Sequence, residues 1–364
     1  MNVLIIGLGY AGTRFLQAFN SINSKLTLDK INMSYVDKQK IRDDIPYFSN
    51  IATALLKLNP EIVVVSVTDG AHADILLELE GYQGFVICEK PLVNVEDNLS
   101  QIAYSLKNIS GFCMDMVERY SETTRFLKSY IRENQLKLLR ANFIWGKDRI
   151  NDRRPTSGVV SEVIHPIDLI QWISRDGKRE DSRDHMILKN AIGTSSDFSI
   201  SGPMVIDSVA ITSQLKQSVI TGYSSFVNII RQRTIDFILE SPDKKLIYAH
   251  MVFDTPTWDI DSLKIWERTN QNDNVIANFT TKFPKAPKEL HTIQKLKRLV
   301  SDVVEFVTRN KSPQWPFADL AESLSLQELL NQIEYSTQVV GPTQFVLGEK
   351  RIIFNDEGNL ERLG

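Results

Sequence analysis

The stretch "NVLIIGLGYAG", residues 2–12, limits this chain more than any other. An apolar run of strand character ends on Gly7. Gly9 and Gly12 complete a Gly-x-Gly-x-x-Gly spacing, and residues 12–20 behind it have a helical pattern. Glycines at those positions permit a tight strand-to-helix turn and a close approach of backbone to whatever lies above it. The alternation then continues. "INMSYVD" reads as strand, "SNIATALLKLN" as helix, "EIVVVSV" as strand, "HADILLELE" as helix and "GFVICE" as strand. A helix from Val95 to about Leu106 and a short strand, "SGFCMDM" at 110–116, complete the series. Strands separated by helices of this length pair in parallel through right-handed crossovers, and such sheets bind ligands at the carboxyl ends of their strands. Gly7–Gly12, Asp37, Thr68–His72 and Glu89–Pro91 are thereby expected along one edge.

After about residue 119 the pattern changes. "SETTRFLKSYIREN" reads as helix, "KLLRANFIWG" as strand and "VVSEVIHPIDLIQWIS" as an amphipathic helix. From about 186 to 279 come β-rich segments separated by Pro, Gly, Ser and Asp, which suggests an antiparallel sheet packed on the 159–173 helix. Helices at about 289–309 and 318–334 follow, and "TQFVLGEKRIIFND" reads as a hairpin. The fold class expected is α/β: an N-terminal Rossmann dinucleotide-binding domain, 1–118, and a C-terminal α+β domain, 119–364, built on an open, largely antiparallel sheet.

The 364 residues exceed the usual size of one hydrophobic core, which agrees with two domains. A net charge of −3 offers no basic footprint for nucleic acid or an anionic membrane. Cys88 and Cys113 are the only cysteines, so neither a disulfide framework nor a Cys-x-x-Cys metal site is expected, and the five histidines are scattered. The first residues lack a basic n-region and their apolar run is broken by glycines, so neither a signal peptide nor a membrane span is read there. A reducing, cytoplasmic setting is expected.

The glycine motif sits where a pyrophosphate could rest on a helix N-terminus. Tyr10 and Ala11 lie inside it. Asp37, 25 residues after Gly12, is placed to accept hydrogen bonds from an adenosine ribose. Its carboxylate would repel a 2′-phosphate, so NAD(H) is favoured; Lys38 beside it softens that repulsion and leaves NADP(H) possible. Thr68 and His72 end the third strong strand and begin a helix; His72 would either approach a nicotinamide or pack at the helix start. Glu89 and Lys90 are either an exposed ion pair or groups aimed at the same edge, because Pro91 restricts the backbone of Lys90. A lysine there can donate a hydrogen bond to a substrate oxygen. Farther on, Ser161, Glu162, His165 and Asp168 have the spacing of one helical face, and Pro166 implies that the helix begins or bends near His165. Arg153 and Arg154, in the loop before Gly158, are either solvated charges or a site for a substrate phosphate or carboxylate.

Taken in order, "GLGYAG", "VTDGAH" at 67–72, "CEKPL" at 88–92, "ERY" at 118–120 and "SGVVSEVIHPID" at 157–168 resemble the Gfo/Idh/MocA family of oxidoreductases. The resemblance spans about the first half of the chain, and its most restrictive element is Glu-Lys-Pro after the fourth main strand. It implies an NAD(P)-dependent enzyme that moves a hydride to or from a sugar, nucleotide-sugar or cyclitol-like carbon. Lys90 would be the lysine that hydrogen-bonds the reacting oxygen and His165 the acid or base, with Glu162 or Asp168 orienting the imidazole. Arg119, Ser161, Glu162 and Asp168 would join Arg153 and Arg154 as substrate-binding residues. Members that oxidise sugars commonly carry Asp four residues before this histidine, where this chain has Ser161. Reduction of an imine or conjugated carbonyl, or a non-catalytic dinucleotide-binding regulator, are the alternatives. The partners expected are a small-molecule substrate and further copies of the chain, as a dimer or tetramer, with no metal, nucleic acid or membrane.

Overall fold

The structure is a computed structural model and describes residues 1–23, 30–150, 156–175, 185–199, 204–269, 272–281 and 292–341. Two compact units divide it. The first comprises Met1–Val117 and Lys288–Gln327, the second Glu118–Pro287 and Glu328–Gly364.

The first unit contains β1 (Asn2–Ile6), α1 (Tyr10–Asn23), β2 (Asn32–Val36), β3 (Tyr47–Phe48), α2 (Ile51–Leu58), β4 (Ile62–Val65), α3 (His72–Glu78), β5 (Phe85–Cys88), α4 (Leu99–Ser105) and β6 (Gly111–Met114). Its six strands pair in parallel in the order β3-β2-β1-β4-β5-β6, which is the doubly wound Rossmann arrangement with its switch point between β1 and β4. Both β4 and β5 are buried at every residue, as expected of strands covered on both faces. Short polar residues set the helix starts. The Asn50 side chain accepts from the Thr53 N–H at 2.9 Å ahead of α2, and Asn98 accepts from Ser100 and Gln101 ahead of α4.

The sequence reading assigns 289–327 to the second domain, whereas most of this stretch packs in the first unit. An aromatic cluster is the reason. The rings of Phe306 and Phe317 lie 5.8 and 5.5 Å from that of Phe85 on β5, and 5.7 Å from each other. The Met114 N–H also donates to Ala318 O at 2.9 Å, and the Val93 N–H to the Gln327 side chain.

The second unit begins with α5 (Glu122–Glu133), β7 (Lys137–Asp148) and α6 (Val160–Ser174), then β8 (Ile187–Ser196), β9 (Val205–Leu215), β10 (Ser218–Ser225), β11 (Val227–Glu240), β12 (Leu246–Val252), β13 (Ser262–Arg268) and β14 (Asp273–Thr280). After them come α7 (Gln294–Arg309), which belongs to the first unit, then α8 (Leu320–Ser336) and β15 (Gln338–Val339). Its nine-stranded sheet has the order β14-β13-β12-β11-β7-β10-β9-β8-β15 and is largely antiparallel, with parallel pairs only at β7–β10 and β8–β15 among the described residues. From Arg233 to Glu240, β11 alternates buried and half-buried residues, and α6 packs on β7 and β10. The expected hairpin at 343–356 lies outside the described residues.

Helix α6 corrects two expectations. It is not amphipathic: every residue from Val160 to Ile173 is buried. Of the two alternatives at His165, a start there is corrected: the helix begins at Val160 and continues through Pro166. Its far end is capped from α5, where the buried Lys128 ammonium donates to Trp172 O and, at 3.2 Å, to Arg175 O.

No helix among the described residues is long and apolar enough to cross a membrane. On α8, burial raises the Glu334 carboxyl to about 7. An acid whose folded value lies above its unfolded one costs stability as pH rises between the two, here from the ordinary carboxylate range to about 7. Glu334→Gln is expected to raise the melting temperature at pH 8 and to leave it little changed at pH 4, as thermal unfolding followed by circular dichroism would show.

Candidate functional site

The glycine turn closes on itself and on the strand beside it. Gly7 has φ +87°, and a Cβ there would lie 2.7 Å from Val67 Cγ1 and 2.9 Å from the Val67 backbone. A Cβ on Gly12 would stand 2.0 Å from Gly7 O. The Gly7 carbonyl is held by the Ser66 hydroxyl at 2.8 Å, and the Gly7 N–H donates to Val36 O at 2.9 Å. Around Gly9, by contrast, an added Cβ would meet nothing within 4 Å. The turn is thus packed from below and open above, at the start of a fourteen-residue helix. That is the shape a pyrophosphate needs, and the residues present fit a dinucleotide.

Asp37 follows β2 and is joined to this turn. Its Oδ2 accepts from the Leu8 N–H at 2.8 Å and its Oδ1 from the Lys38 N–H at 2.7 Å. Each oxygen keeps a lone pair for a ribose hydroxyl. The Lys38 side chain is exposed. Tyr10 is 53% exposed at the first position of α1 and Ala11 is half-buried. Arg14, one turn on, reaches the Tyr10 hydroxyl at 3.4 Å and donates to Thr292 O.

Thr68 is exposed after β4, but His72 is fully buried. Its Nδ1 lies 2.7 Å from Pro91 O and its Nε2 3.2 Å from Val67 O. Both ring nitrogens therefore face backbone carbonyls, and His72 ties the loop after β4 to the loop after β5. It corresponds to packing at the helix start, one of the two alternatives. Through Pro91 it fixes the segment that carries Glu89 and Lys90, both half-buried. The Lys90–Pro91 peptide bond is cis. The Glu89 N–H donates to Val65 O at 2.9 Å, and the Lys90 N–H faces Glu89 Oε2 at 3.4 Å. Burial pushes the Cys88 thiol well up, so it is a neutral packing group.

Sequence reasoning passed over Asp115. In β5 and β6, Cys88 pairs with Met114, so Glu89 and Asp115 leave adjacent strands side by side. Asp115 is 6% exposed, and burial together with the Glu89 charge holds its carboxyl well above the usual range. The signal was present: "GFVICE" and "GFCMD" are two apolar strands that each end on an acid.

In the second unit, the polar residues of α6 meet several other segments of the chain. The Ser161 hydroxyl donates to Gly158 O at 2.9 Å and lies 3.3 Å from the Thr156 hydroxyl. Glu162 is fully buried. Its Oε1 accepts from Trp145 Nε1 and Arg233 Nη2, each at 3.0 Å, and its Oε2 is 2.6 Å from Lys147 Nζ. Arg233 also bonds Asp254, so two cations and two carboxylates balance inside the core. The His165 ring stacks on Trp145, 5.7 Å between centroids. Asp168 takes both of its bonds from Arg119, Nε at 2.8 Å and Nη2 at 2.5 Å, with both side chains about 5% exposed or less. Arg119, Glu162 and Asp168 thus hold one another or the sheet, which is a structural use of residues expected to bind substrate. Arg153 and Arg154 lie outside the described residues. Removing one partner of a buried pair strands the other charge, so Asp168→Leu is expected to lower the unfolding free energy by about 3–5 kcal/mol in urea, and Arg119→Met combined with it to recover most of the loss.

Residues 1–109 match the family model GFO_IDH_MocA, described as an oxidoreductase family with an NAD-binding Rossmann fold. A comparison with curated proteins finds no match. Among solved structures, levoglucosan dehydrogenase in complex with NADH and L-sorbose is similar at a TM-score of 0.70 and 15% identity, over 92% of this chain and 96% of that one. UDP-N-acetylglucosamine 3-dehydrogenase GnnA from Acidithiobacillus ferrooxidans is similar at 0.66 and 12%, over 93% and 97%. A mutant of KijD10, a 3-ketoreductase from Actinomadura kijaniata in complex with TDP-benzene and NADP, is similar at 0.67 and 10%, over 95% and 99%. At these identities the likeness is one of fold. Residues 1–109 thus match the model of an NAD-binding Rossmann oxidoreductase family, and the chain as a whole is folded like these solved structures.

Proposed function

We propose that this protein transfers a hydride between a nicotinamide dinucleotide and an alcohol or ketone carbon of a sugar, nucleotide sugar or cyclitol-like substrate. The observation that carries the reading is the dinucleotide cradle of Gly7–Gly12 and Asp37, with Lys90 two residues beyond the end of β5 on the carboxyl edge of the same sheet. Sugar and nucleotide-sugar enzymes among the similar folds support the substrate class.

The cofactor supplies the hydride when bound; the chain does the rest. The open face at Gly9 and the start of α1 receive the pyrophosphate, and Asp37 accepts from the ribose hydroxyls. A 2′-phosphate would meet the Asp37 carboxylate, so NAD(H) is the preferred form. Lys90 donates a hydrogen bond to the substrate oxygen as negative charge develops on it during reduction, and His165 gives or takes the proton. Ser161 departs from the aspartate common among sugar-oxidising members, and its hydroxyl is engaged with Gly158 and Thr156. That observation supports a second reading, in which the reducible bond is an imine or conjugated carbonyl that needs no carboxylate there. The open sheet of the second unit is proposed to join copies of the chain.

Fluorescence titration with NADH and NADPH, followed by a panel of keto-sugars, nucleotide keto-sugars and imines, tests the reading. NADH is expected to bind wild type and Lys90→Ala with similar affinity, and turnover by Lys90→Ala to fall by about 100-fold or more. Failure of both cofactors to bind would end the proposal. Asp37→Ser is expected to narrow the preference for NADH over NADPH, as the ratio of the two dissociation constants would show.

A further inference from the structure

We infer that Asp115 keeps its proton beside Glu89 and that this pair of acids is a positioning element for Lys90, limiting the negative charge set against its ammonium. The inference rests on the reading of Lys90 given above, although the pair itself can be tested without it.

The backbone forces the two acids together. Pairing of Cys88 with Met114 in parallel register brings the next residue of each strand off the sheet at the same level. Both backbones are fixed there: the Asp115 N–H donates to Cys88 O at 2.7 Å and the Glu89 N–H to Val65 O at 2.9 Å. Asp115 is buried, and its Oδ1 meets no hydrogen-bonding group among the described residues. Two carboxyl groups brought side by side, one of them buried, cannot both ionise easily. Desolvation is the largest influence and the Glu89 charge the next. Arg14 and Lys90 act in the opposite sense, and Cys88, the remaining titratable neighbour, is a neutral thiol.

The consequence is electrostatic. Arg14 and Lys90 bring two positive charges to this edge. A proton on Asp115 removes one negative charge from their surroundings. Were Asp115 to ionise, Lys90 would offer less to an oxygen that gains negative charge. Glu89, beside Asp115, also presents its Oε2 toward the Lys90 N–H.

Carbon-13 NMR of the full chain, labelled at aspartate carboxyl carbons, tests the pair. One aspartate with a protonated chemical shift at pH 7 is expected, and Asp115→Asn removes it. A spectrum with every aspartate ionised at pH 7, or a protonated signal that persists in Asp115→Asn, overturns the inference. Should Asp115→Asn not fold, Glu89→Gln decides, because loss of the neighbouring charge must lower the midpoint of that signal; an unmoved midpoint overturns the pair. The positioning role is read separately in the pH profile of kcat. Wild type is expected to lose activity at the alkaline midpoint seen by NMR, and Asp115→Asn, which cannot ionise, to lack that limb; a limb unchanged in Asp115→Asn overturns the positioning role. If Lys90→Ala turns over substrate like wild type, the Lys90 reading fails while the NMR result stands.

Discussion

The close approach of backbone to backbone at the first turn is the constraint on which the first unit depends. Gly12 sits where any side chain would enter the Gly7 carbonyl, and Gly7 where any side chain would enter Val67. Only this contact lets α1 start directly above β1 with its N-terminus turned to the sheet edge. The Ser66 hydroxyl on the Gly7 carbonyl and the Leu8 N–H on Asp37 join β1, β2 and β4 into one rim. His72 extends that rim to the loop after β5 by bridging Val67 and Pro91. The position of Lys90 is therefore inherited from a chain of backbone contacts that begins at a glycine.

Helix α6 presents the opposite problem. It buries Ser161, Glu162, His165, Asp168 and Gln171 on a helix with no face left to water. Burial of the two carboxylates is tolerated because groups from other elements meet them: Arg119, which precedes α5, bonds Asp168, while Trp145 and Lys147 on β7 and Arg233 on β11 meet Glu162. Such ion pairs add little net stability over a well-packed apolar core. They do define one arrangement, because a displaced helix would leave carboxylates buried without cations.

Most of the fold was legible in the sequence. Alternating apolar runs and helical patterns in the first 116 residues correspond to the parallel sheet, since strands buried on both faces are apolar at nearly every position. The return of α7 and Phe317 to the first unit was not legible, because a helix of either unit has the same amphipathic pattern. What separates them is the ring of Phe85, about 220 residues earlier, against which Phe306 and Phe317 pack.

The chain by itself determined the glycine turn, the acid after β2 and the Glu-Lys-Pro segment after β5, because each depends on local backbone geometry and on residues close in sequence. Only the tertiary structure decided which charges meet. Glu162 and Asp168 are read from spacing as groups on one helical face, yet Arg233 and Arg119 take them in different directions. Asp115 acquired its meaning from strand register, which sets it beside Glu89 across 26 residues of chain. Electrostatics between partners distant in sequence depends on distance and burial, and these exist only once the sheet has formed.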